Sequence, residues 1–263
     1  MRHVDAEVVA RLRAAGCVFA EEEAALLTDA AAETGTPLAE LVRQRVSGTP
    51  LEYVVGWAEF RGLRVAVRPG VFVPRRRTAF LVDTALAVAR ERPGTLCVVD
   101  LCCGCGALGL AFATEMRAHG RTVELTAADV DPTAVHCARG NLAGHGTVHE
   151  GDLFDALPTD LRGRIDILLA NVPYVPTAGI AGMPPEARDH EPRAALDGGA
   201  DGLDVFRRVA AAAPDWLAPG GTVFFESSRE QATAAGEFLR ARGLRAARAE
   251  SDERYATVVT GTR

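Results

Sequence analysis

The chain has 263 residues, of which 48% are hydrophobic and 24% are charged, with a formal net charge of −6. This length accommodates one or two domains with a sizeable core, which excludes a disordered protein. The acidic balance argues against stable nucleic-acid binding. No apolar run is long enough to span a membrane, and residues 1–5 lack the layout of a signal peptide. We expect a cytoplasmic, monomeric protein without membrane attachment.

The amino-terminal part has apolar residues at helical spacing in three segments, which Gly16 and Gly35 separate. This pattern predicts a small helical domain over residues 1–48. Residues 49–71 follow as a linker, in which two short alternating segments around Arg61-Gly62 predict a β-hairpin.

From residue 72 onward, segments typical of strands alternate with segments typical of helices. The alternation predicts an α/β domain over residues 72–263, with a mostly parallel sheet covered by helices on both faces. The last two segments, residues 245–250 and 255–260, predict a terminal pair of strands.

A glycine-rich stretch follows the first predicted strand of this domain. Its residues 104–109 match GxGxxG, a pattern that taken alone favours a dinucleotide site. Asp100 precedes Gly104 by four residues, however, and a carboxylate there would repel a pyrophosphate. The same carboxylate can hold the ammonium group of an amino-acid moiety, so S-adenosylmethionine matches the loop better than NAD.

Two further acidic residues end or follow the next two predicted strands. Asp129 is placed to accept hydrogen bonds from ribose hydroxyls, and Asp152 to accept one from an adenine amino group while Leu153 or Phe154 packs on the ring. Each acid taken singly is also compatible with capping the helix that follows it. Their order at successive strand ends favours a nucleoside site.

Asn171-Val172-Pro173-Tyr174 follows the apolar run of residues 165–170 and should lie at the carboxyl end of a buried strand. The Asn171 side-chain oxygen and the Val172 carbonyl form two adjacent acceptors that fit one planar NH2 group, and Tyr174 offers a flat wall. Such a receptor orients an amide or exocyclic amine for methyl transfer. A turn capped by Asn171 is the simpler alternative for the tetrapeptide alone.

Four of the six cysteines lie within nine positions around the glycine-rich stretch. Cys102, Cys103 and Cys105 are too closely spaced for a zinc knuckle, so no metal is expected. Reduced thiols in the core and loop are the predicted state.

These motifs together resemble the protein-(glutamine-N5) methyltransferases that modify release factors, in particular their actinobacterial-type relatives. The resemblance covers almost the whole chain. It rests on residues 49–53 with Gly56, on Phe72-Val73-Pro74-Arg75, on residues 100–106, on Asp129, on residues 171–174 and on the block at 191–203. That last block separates the family from amine methyltransferases that act on DNA.

The resemblance implies a class I, Rossmann-like methyltransferase fold with seven strands, the last of them reversed. It implies S-adenosylmethionine as cofactor, S-adenosylhomocysteine as product, and a glutamine in the Gly-Gly-Gln loop of a release factor as acceptor. The implied cofactor contacts are Cys102, Cys103, Gly104, Cys105, Gly106, Asp129, Leu153 and Asn171. Residues 171–174 become the catalytic glutamine pocket, and Phe72 lies beside the target amide.

The chain departs from the family pattern in four places, two of them single residues and two of them short segments. Cys102 replaces the first loop glycine, and Val172 replaces the first proline of Asn-Pro-Pro-Tyr. Residues 76–79 are Arg-Arg-Thr-Ala where Pro-acid-Thr-Glu is usual, and residues 226–228 are Glu-Ser-Ser where Glu-apolar-Gly is usual. The alternatives are a methyltransferase for adenine N6, cytosine N4 or another amine, and a cofactor-binding scaffold without turnover.

A run of arginines from Arg61 to Arg77 contains no acidic residue and leads to the predicted pocket. It predicts either a salt-bridged surface or a docking strip for an acidic partner or an RNA-associated target.

Overall fold

The computed structural model describes residues 5–263. Four helices form the amino-terminal part, α1 (Ala6–Ala14), α2 (Ala20–Thr34), α3 (Leu38–Val46) and α4 (Leu51–Val55). Leu12, Leu27 and Val42 are fully buried in a core of their own. Residues 1–4 of the predicted helical domain lie outside the described residues, and the domain boundaries stay a prediction.

The hairpin expected in the linker is present as β1 (Trp57–Phe60) and β2 (Leu63–Ala66), paired antiparallel. Arg61 and Gly62 form its two-residue turn with φ of 53° and 78°, the conformation that hairpin turns of this length favour. Helix α4, which has five residues and lies inside the segment predicted as linker, was not expected from the sequence. Its short length gives almost no periodic signal.

The remaining strands form one seven-stranded sheet with the order β5-β4-β3-β6-β7-β9-β8. β9 runs antiparallel to both of its neighbours, whereas β3 to β7 pair in parallel. The predicted α/β fold with a reversed last strand is therefore confirmed. The strands are β3 (Leu96–Leu101), β4 (Val123–Asp129), β5 (Gly146–Glu150), β6 (Ile165–Ala170), β7 (Leu217–Ser227), β8 (Arg245–Ser251) and β9 (Ala256–Thr262).

Helices cover the sheet on both faces because its central strands, β3 and β6, are mostly apolar and are buried along nearly their whole length. Leu169 and Phe224 pack into one core, while their neighbours Leu168 and Phe225 pack into the other, as the two-residue period of a strand requires. The helices are α5 (Ala79–Arg90), α6 (Ala107–Ala118), α7 (Pro132–Asn141), α8 (Pro185–His190), α9 (Asp204–Trp216) and α10 (Arg229–Ala241). In residues 5–263 none of the helices has the length and apolarity to cross a membrane.

The strand order reverses direction at β3 and β6. From β3 the chain continues outward to β4 and β5, and it then returns to β6 on the other side. A crevice forms outside the carboxyl ends of the strands at such a switch point, and ligands bind there in open α/β sheets.

The start of α10 is fixed by a reciprocal cap. Ser228 Oγ accepts a hydrogen bond from Gln231 N, and Gln231 Oε1 accepts one from Ser228 N, both at 3.2 Å. Such a capping box satisfies two backbone donors that the first helical turn leaves free. Ser228 therefore serves as a helix cap within the segment 226–228, one of the four departures from the family pattern.

We predict that Ser228→Ala lowers the free energy of unfolding by about 1 kcal/mol, because the N-cap acceptor is lost. Ser228→Gly should cost only about 0.3 kcal/mol, since glycine is tolerated at N-caps. Urea unfolding of the three proteins measures the difference. Equal destabilisation by alanine and glycine would contradict a capping role.

Candidate active site

One cavity opens at the carboxyl edge of β3, β4 and β6 and brings most of the predicted site residues together. Gly106 is one exception, because it begins α6 with φ of 79° and does not line the cavity. Phe154, the alternative to Leu153, is another, because its ring stacks on Trp216 in the core. The predicted residues that line the cavity are Phe72, Asp100, Cys102, Cys103, Gly104, Cys105, Asp129, Asp152, Leu153, Asn171, Val172, Pro173 and Tyr174.

Cys102 has a left-handed backbone with φ of 57°, although it is not glycine. A side chain in this region costs roughly 1 to 2 kcal/mol. The next residues hold the turn in place, since Cys103 N donates to Ala128 O at 3.0 Å and Gly104 N donates to Asp129 Oδ2 at 2.8 Å. The loop therefore keeps a glycine-like shape despite its departure from the family pattern.

Asp100 lies at the base of the cavity and is 1% exposed. Its Oδ2 accepts a hydrogen bond from Gly109 N at 2.8 Å. Burial raises the pKa of Asp100 from its ordinary value of 3.8 to about 7, although the Gly109 hydrogen bond opposes the rise. A ligand cation would favour the ionised form, so the site fits a positively charged amino-acid moiety.

Asp129 ends β4 and accepts backbone hydrogen bonds on both carboxylate oxygens, from Gly104 N at 2.8 Å and Asp131 N at 3.0 Å. Burial raises its pKa above the ordinary value, and these hydrogen bonds oppose the rise. Each oxygen keeps a second lone pair for a ligand hydroxyl. Val130, which the sequence analysis missed, lines the cavity beside Asp129 and is 61% exposed. An apolar residue directly after a strand-end acid is the signal that would have found it.

Asp152 is exposed and forms an ion pair with Arg208, with 2.6 Å between Oδ2 and Nη2. Arg208 also lines the cavity, and the sequence analysis did not single it out. Leu153 is half-buried, with φ of 50°. The role of Asp152 toward an adenine amino group stays a prediction, and Arg208 competes for the same carboxylate.

The Asn171–Tyr174 segment, which we call the acceptor loop, presents two unused acceptors. Asn171 Oδ1 is buried and accepts no hydrogen bond from residues 5–263. The Val172 carbonyl oxygen likewise has no donor within this range. A buried acceptor left without a partner costs about 1 to 3 kcal/mol. Two such oxygens on consecutive residues of a cavity wall fit a ligand that carries an NH2 group.

The block at 196–203, which we call the covering segment, pairs with the chain that continues from the acceptor loop. Val175 N donates to Leu196 O at 3.1 Å, and Gly198 N donates to Val175 O at 2.8 Å. A Cβ atom at Gly202 would lie 2.3 Å from Tyr174 O, so this close approach requires glycine. A side chain at position 202 would therefore push the covering segment away from the acceptor loop.

The side chain of Gln231 joins these two segments to α10. Its Nε2 atom donates to Tyr174 O and to Asp201 O, each at 2.9 Å. The contact with Tyr174 joins residues 57 positions apart and was not expected from the sequence. Because Gln231 also belongs to the capping box of α10, the contact holds the Tyr174 backbone against the start of that helix.

Two polar residues surround the Tyr174 hydroxyl. The hydroxyl donates to Glu226 Oε1 at 2.7 Å and accepts from Arg77 Nη2 at 2.8 Å, while Arg77 Nε donates to the same Glu226 oxygen at 3.0 Å. Burial, with help from the Glu226 charge, raises the pKa of Tyr174 above its ordinary value. The hydroxyl therefore stays protonated. From the sequence, Glu226 was noted only within a departure from the family pattern, and Arg77 only within such a departure and as the end of the arginine run.

Phe72 enters the cavity wall from the segment that precedes α5. The Arg75 guanidinium lies 4.7 Å from the Phe72 ring centroid. Arg75 also forms an ion pair with the buried carboxylate of Glu191, which accepts from Val73 N at 3.3 Å. These contacts join residues 72–75 to the start of the block at 191–203.

All six cysteines are free thiols. Burial raises the pKa of Cys105 to about 12 and raises that of Cys103 well above its ordinary value, so both stay protonated at neutral pH. Within the described range no cluster of three or more histidine, cysteine or acidic side chains is arranged to hold a metal ion.

Most arginines of the run from Arg61 to Arg77 form ion pairs within the protein. Arg61 pairs with Asp83 and Glu115, Arg64 with Glu33, Arg75 with Glu191 and Arg77 with Glu226. This arrangement favours the salt-bridged surface over the docking strip.

The reversed last strand, the glycine-rich loop with its buried Asp100, and the strand-end Asp129 define a class I S-adenosylmethionine-dependent methyltransferase. The family model of the methyltransferase small domain matches residues 62–181. A release factor glutamine methyltransferase of Geobacter sulfurreducens is 40% identical over 204 residues, which cover 76% of this chain and 68% of that protein. The chain thus belongs to the release factor glutamine methyltransferase family, which confirms the resemblance inferred from its motifs.

Two other proteins show how far the likeness extends. The 4-amino-L-phenylalanine/4-methylamino-L-phenylalanine methyltransferase of Streptomyces pristinaespiralis is 35% identical over 207 residues, covering 77% of this chain and 69% of that protein. The Thermus thermophilus 16S rRNA N2 G1207 methyltransferase, solved with AdoMet and guanosine, superposes with a TM-score of 0.54 at 20% identity. The superposed part covers 79% of this chain and 49% of the Thermus thermophilus protein. At this identity the likeness shows a shared fold alone.

We predict that the ligand-free protein loses stability as pH rises from about 4 to about 7, because folding raises the pKa of Asp100 from 3.8 to about 7. The folded state then binds the proton more tightly than the unfolded state does. The resulting contribution to the free energy of unfolding is fully present below about pH 4 and is lost as Asp100 ionises in the folded protein. Asp100→Asn should reduce this fall by about 2 to 4 kcal/mol at pH 8.

The measurement is urea unfolding of both proteins between pH 4.5 and pH 8. Asp129, whose pKa is also raised, should leave a residual slope in the variant. Asp215→Asn, at an exposed carboxylate, is the matched control. Parallel pH profiles for the parent and Asp100→Asn would contradict the buried-acid assignment.

Proposed function

We propose that this protein transfers a methyl group from S-adenosylmethionine to the side-chain amide nitrogen of a glutamine in a peptide release factor. The acceptor is the glutamine of the Gly-Gly-Gln loop, and the place of action is the cytoplasm. Membership of the release factor glutamine methyltransferase family supports this acceptor. The observation that carries the chemistry is the pair of unused buried acceptors, Asn171 Oδ1 and Val172 O.

An amide nitrogen is a poor nucleophile because its lone pair is delocalised into the carbonyl. Asn171 Oδ1 and the Val172 carbonyl would each accept one N–H bond, which draws electron density toward the nitrogen and fixes the plane of the amide. The lone pair above that plane is then directed at the methyl donor. Valine preserves this arrangement, because the acceptor at position 172 is a backbone oxygen. Val172 is 2% exposed, so its packing replaces the rigidity of a proline.

The cavity residues fit the cofactor. S-adenosylmethionine supplies a methyl group on a positively charged sulfonium. Asp100 would stabilise its ammonium group, Asp129 its ribose hydroxyls, and Val130 with Leu153 the faces of its adenine ring. The raised pKa of Asp100 is consistent with an acid that becomes fully ionised only when a cation is bound.

A second candidate acceptor is a small aromatic amine, which the relative from Streptomyces pristinaespiralis suggests. The acceptor loop specifies an NH2 group on a planar carrier, and an arylamine meets that requirement. The wall formed by Tyr174 and Phe72 is also compatible with an aromatic ring.

Asn171→Ala should lower turnover by roughly 10² to 10³ and leave most of the cofactor affinity intact, because the lost contact is made to the methyl acceptor. Methyl transfer to release factor and calorimetry with S-adenosylhomocysteine measure the two effects. Asn171→Asp is the matched control, since it keeps an acceptor at the same place. Full activity in Asn171→Ala would remove this residue from the reaction.

The acceptor itself is tested by incubating the enzyme with tritiated cofactor and four substances in parallel. These are release factor, release factor with Gln→Asn in its Gly-Gly-Gln loop, 4-amino-L-phenylalanine, and unmethylated single-stranded DNA. We expect label on the parent release factor alone. Label on the arylamine or on DNA without label on release factor would replace the glutamine assignment.

A further inference from the structure

Arg77, Tyr174 and Glu226 form a closed triangle of hydrogen bonds at the edge of the acceptor loop. The three bonds measure 2.7, 2.8 and 3.0 Å, and two of them meet at Glu226 Oε1. The residues come from three separate parts of the chain: the turn before α5, the loop after β6 and the end of β7. We call this group the Arg77–Tyr174–Glu226 cluster.

Arg77 is the counterion of the buried Glu226 carboxylate. Glu226 is 4% exposed, and its second oxygen, Oε2, accepts no hydrogen bond from residues 5–263. Arg77 is the one cation that forms an ion pair with it in this part of the chain. A buried carboxylate without a paired cation is strongly unfavourable. Removal of the guanidinium would therefore disturb the oxygen to which the Tyr174 hydroxyl donates.

The cluster depends on a departure of this chain from its family pattern. The resemblance implies an acidic residue at position 77, where this chain has arginine. An acid there would place a like charge near Glu226 instead of a partner. The charge reversal thus creates a contact that the family pattern does not provide.

We propose that Arg77 and Glu226 are positioning residues that fix the Tyr174 ring as a wall of the methyl-acceptor pocket. The proposal rests on the proposed function in so far as Tyr174 contacts the acceptor. With its hydroxyl held from two sides, the ring cannot turn away from the cavity without breaking both hydrogen bonds. The wall then selects planar acceptors and aligns them against Asn171 and Val172.

The kinetic test is a double-mutant cycle. Arg77→Gln should lower kcat/KM for methyl transfer about tenfold while the dissociation constant for S-adenosylhomocysteine changes less than about twofold. In the Tyr174→Phe background, Arg77→Gln should cost less than about a further twofold, because the hydroxyl through which it acts is already absent. Losses that multiply independently in the double variant would overturn the proposal.

The matched control is Arg76→Gln, at the neighbouring exposed arginine, which forms no ion pair with residues 5–263. It should leave kcat/KM within about twofold of the parent. Glu226→Gln is the second variant, because it keeps an oxygen for the Tyr174 hydroxyl but removes the charge that binds Arg77. It should reproduce the loss seen in Arg77→Gln. Parent-like kinetics for Glu226→Gln would contradict the role of the ion pair.

A spectroscopic readout separates this proposal from the proposed function. The chain has three tyrosines, so its tyrosine ring signals can be resolved by NMR after selective ¹³C labelling, and Tyr174→Phe assigns the signal of interest. Arg77→Gln should shift the Tyr174 signal and leave those of Tyr53 and Tyr255 in place, whereas Arg76→Gln should shift none. An unchanged Tyr174 signal in Arg77→Gln would overturn the positioning role. Absence of methyl transfer in the parent would overturn the proposed function and leave the NMR result standing.

Discussion

The two buried acceptors on Asn171 and Val172 are the constraint on which the rest of the site depends. A folded protein normally pairs such oxygens, because an unpaired one costs free energy comparable to a lost hydrogen bond. Here the loop is held from outside, by the covering segment, by Gln231 and by the Arg77–Tyr174–Glu226 cluster. These contacts keep the acceptors available to a ligand, since the loop cannot turn to satisfy them internally.

On the cofactor side of the cavity, too, hydrogen bonds within the protein hold in place the groups that face the ligand. Asp100 is shielded from solvent and bonded to the start of α6, while Asp129 fixes the glycine-rich loop through Gly104. Both carboxylates carry a raised pKa from burial, which a cationic ligand would reverse. The loop and the two acids thus form a site that is most stable electrostatically when a positive charge occupies it.

Local sequence signals were enough to predict the architecture and most of the strand-end residues that line the cavity, although Val130 and Arg208 were missed. Strands such as β6 and β3 read as apolar runs, and the polar residues that end them had to meet at one edge of a parallel sheet. The contacts of Arg77 with Glu226 and of Gln231 with Tyr174 join residues 149 and 57 positions apart, and no period or spacing encodes them. Helix α4 was missed for the opposite reason, because one turn of helix is too short to show a period.

The attachment of the acceptor loop has a consequence for how substrate preference changes in such proteins. The loop shares its backbone hydrogen bonds with the covering segment, and Gln231 bonds to both. If residues 171–174 alone were exchanged for those of another protein, Gly202 and the Gln231 amide would still be positioned for the original backbone at Tyr174. The unit that can be transplanted or inherited intact is therefore the loop, the covering segment and the first turn of α10 together. Single substitutions that preserve this backbone, such as valine at position 172, are the changes that the scaffold accepts without rearrangement.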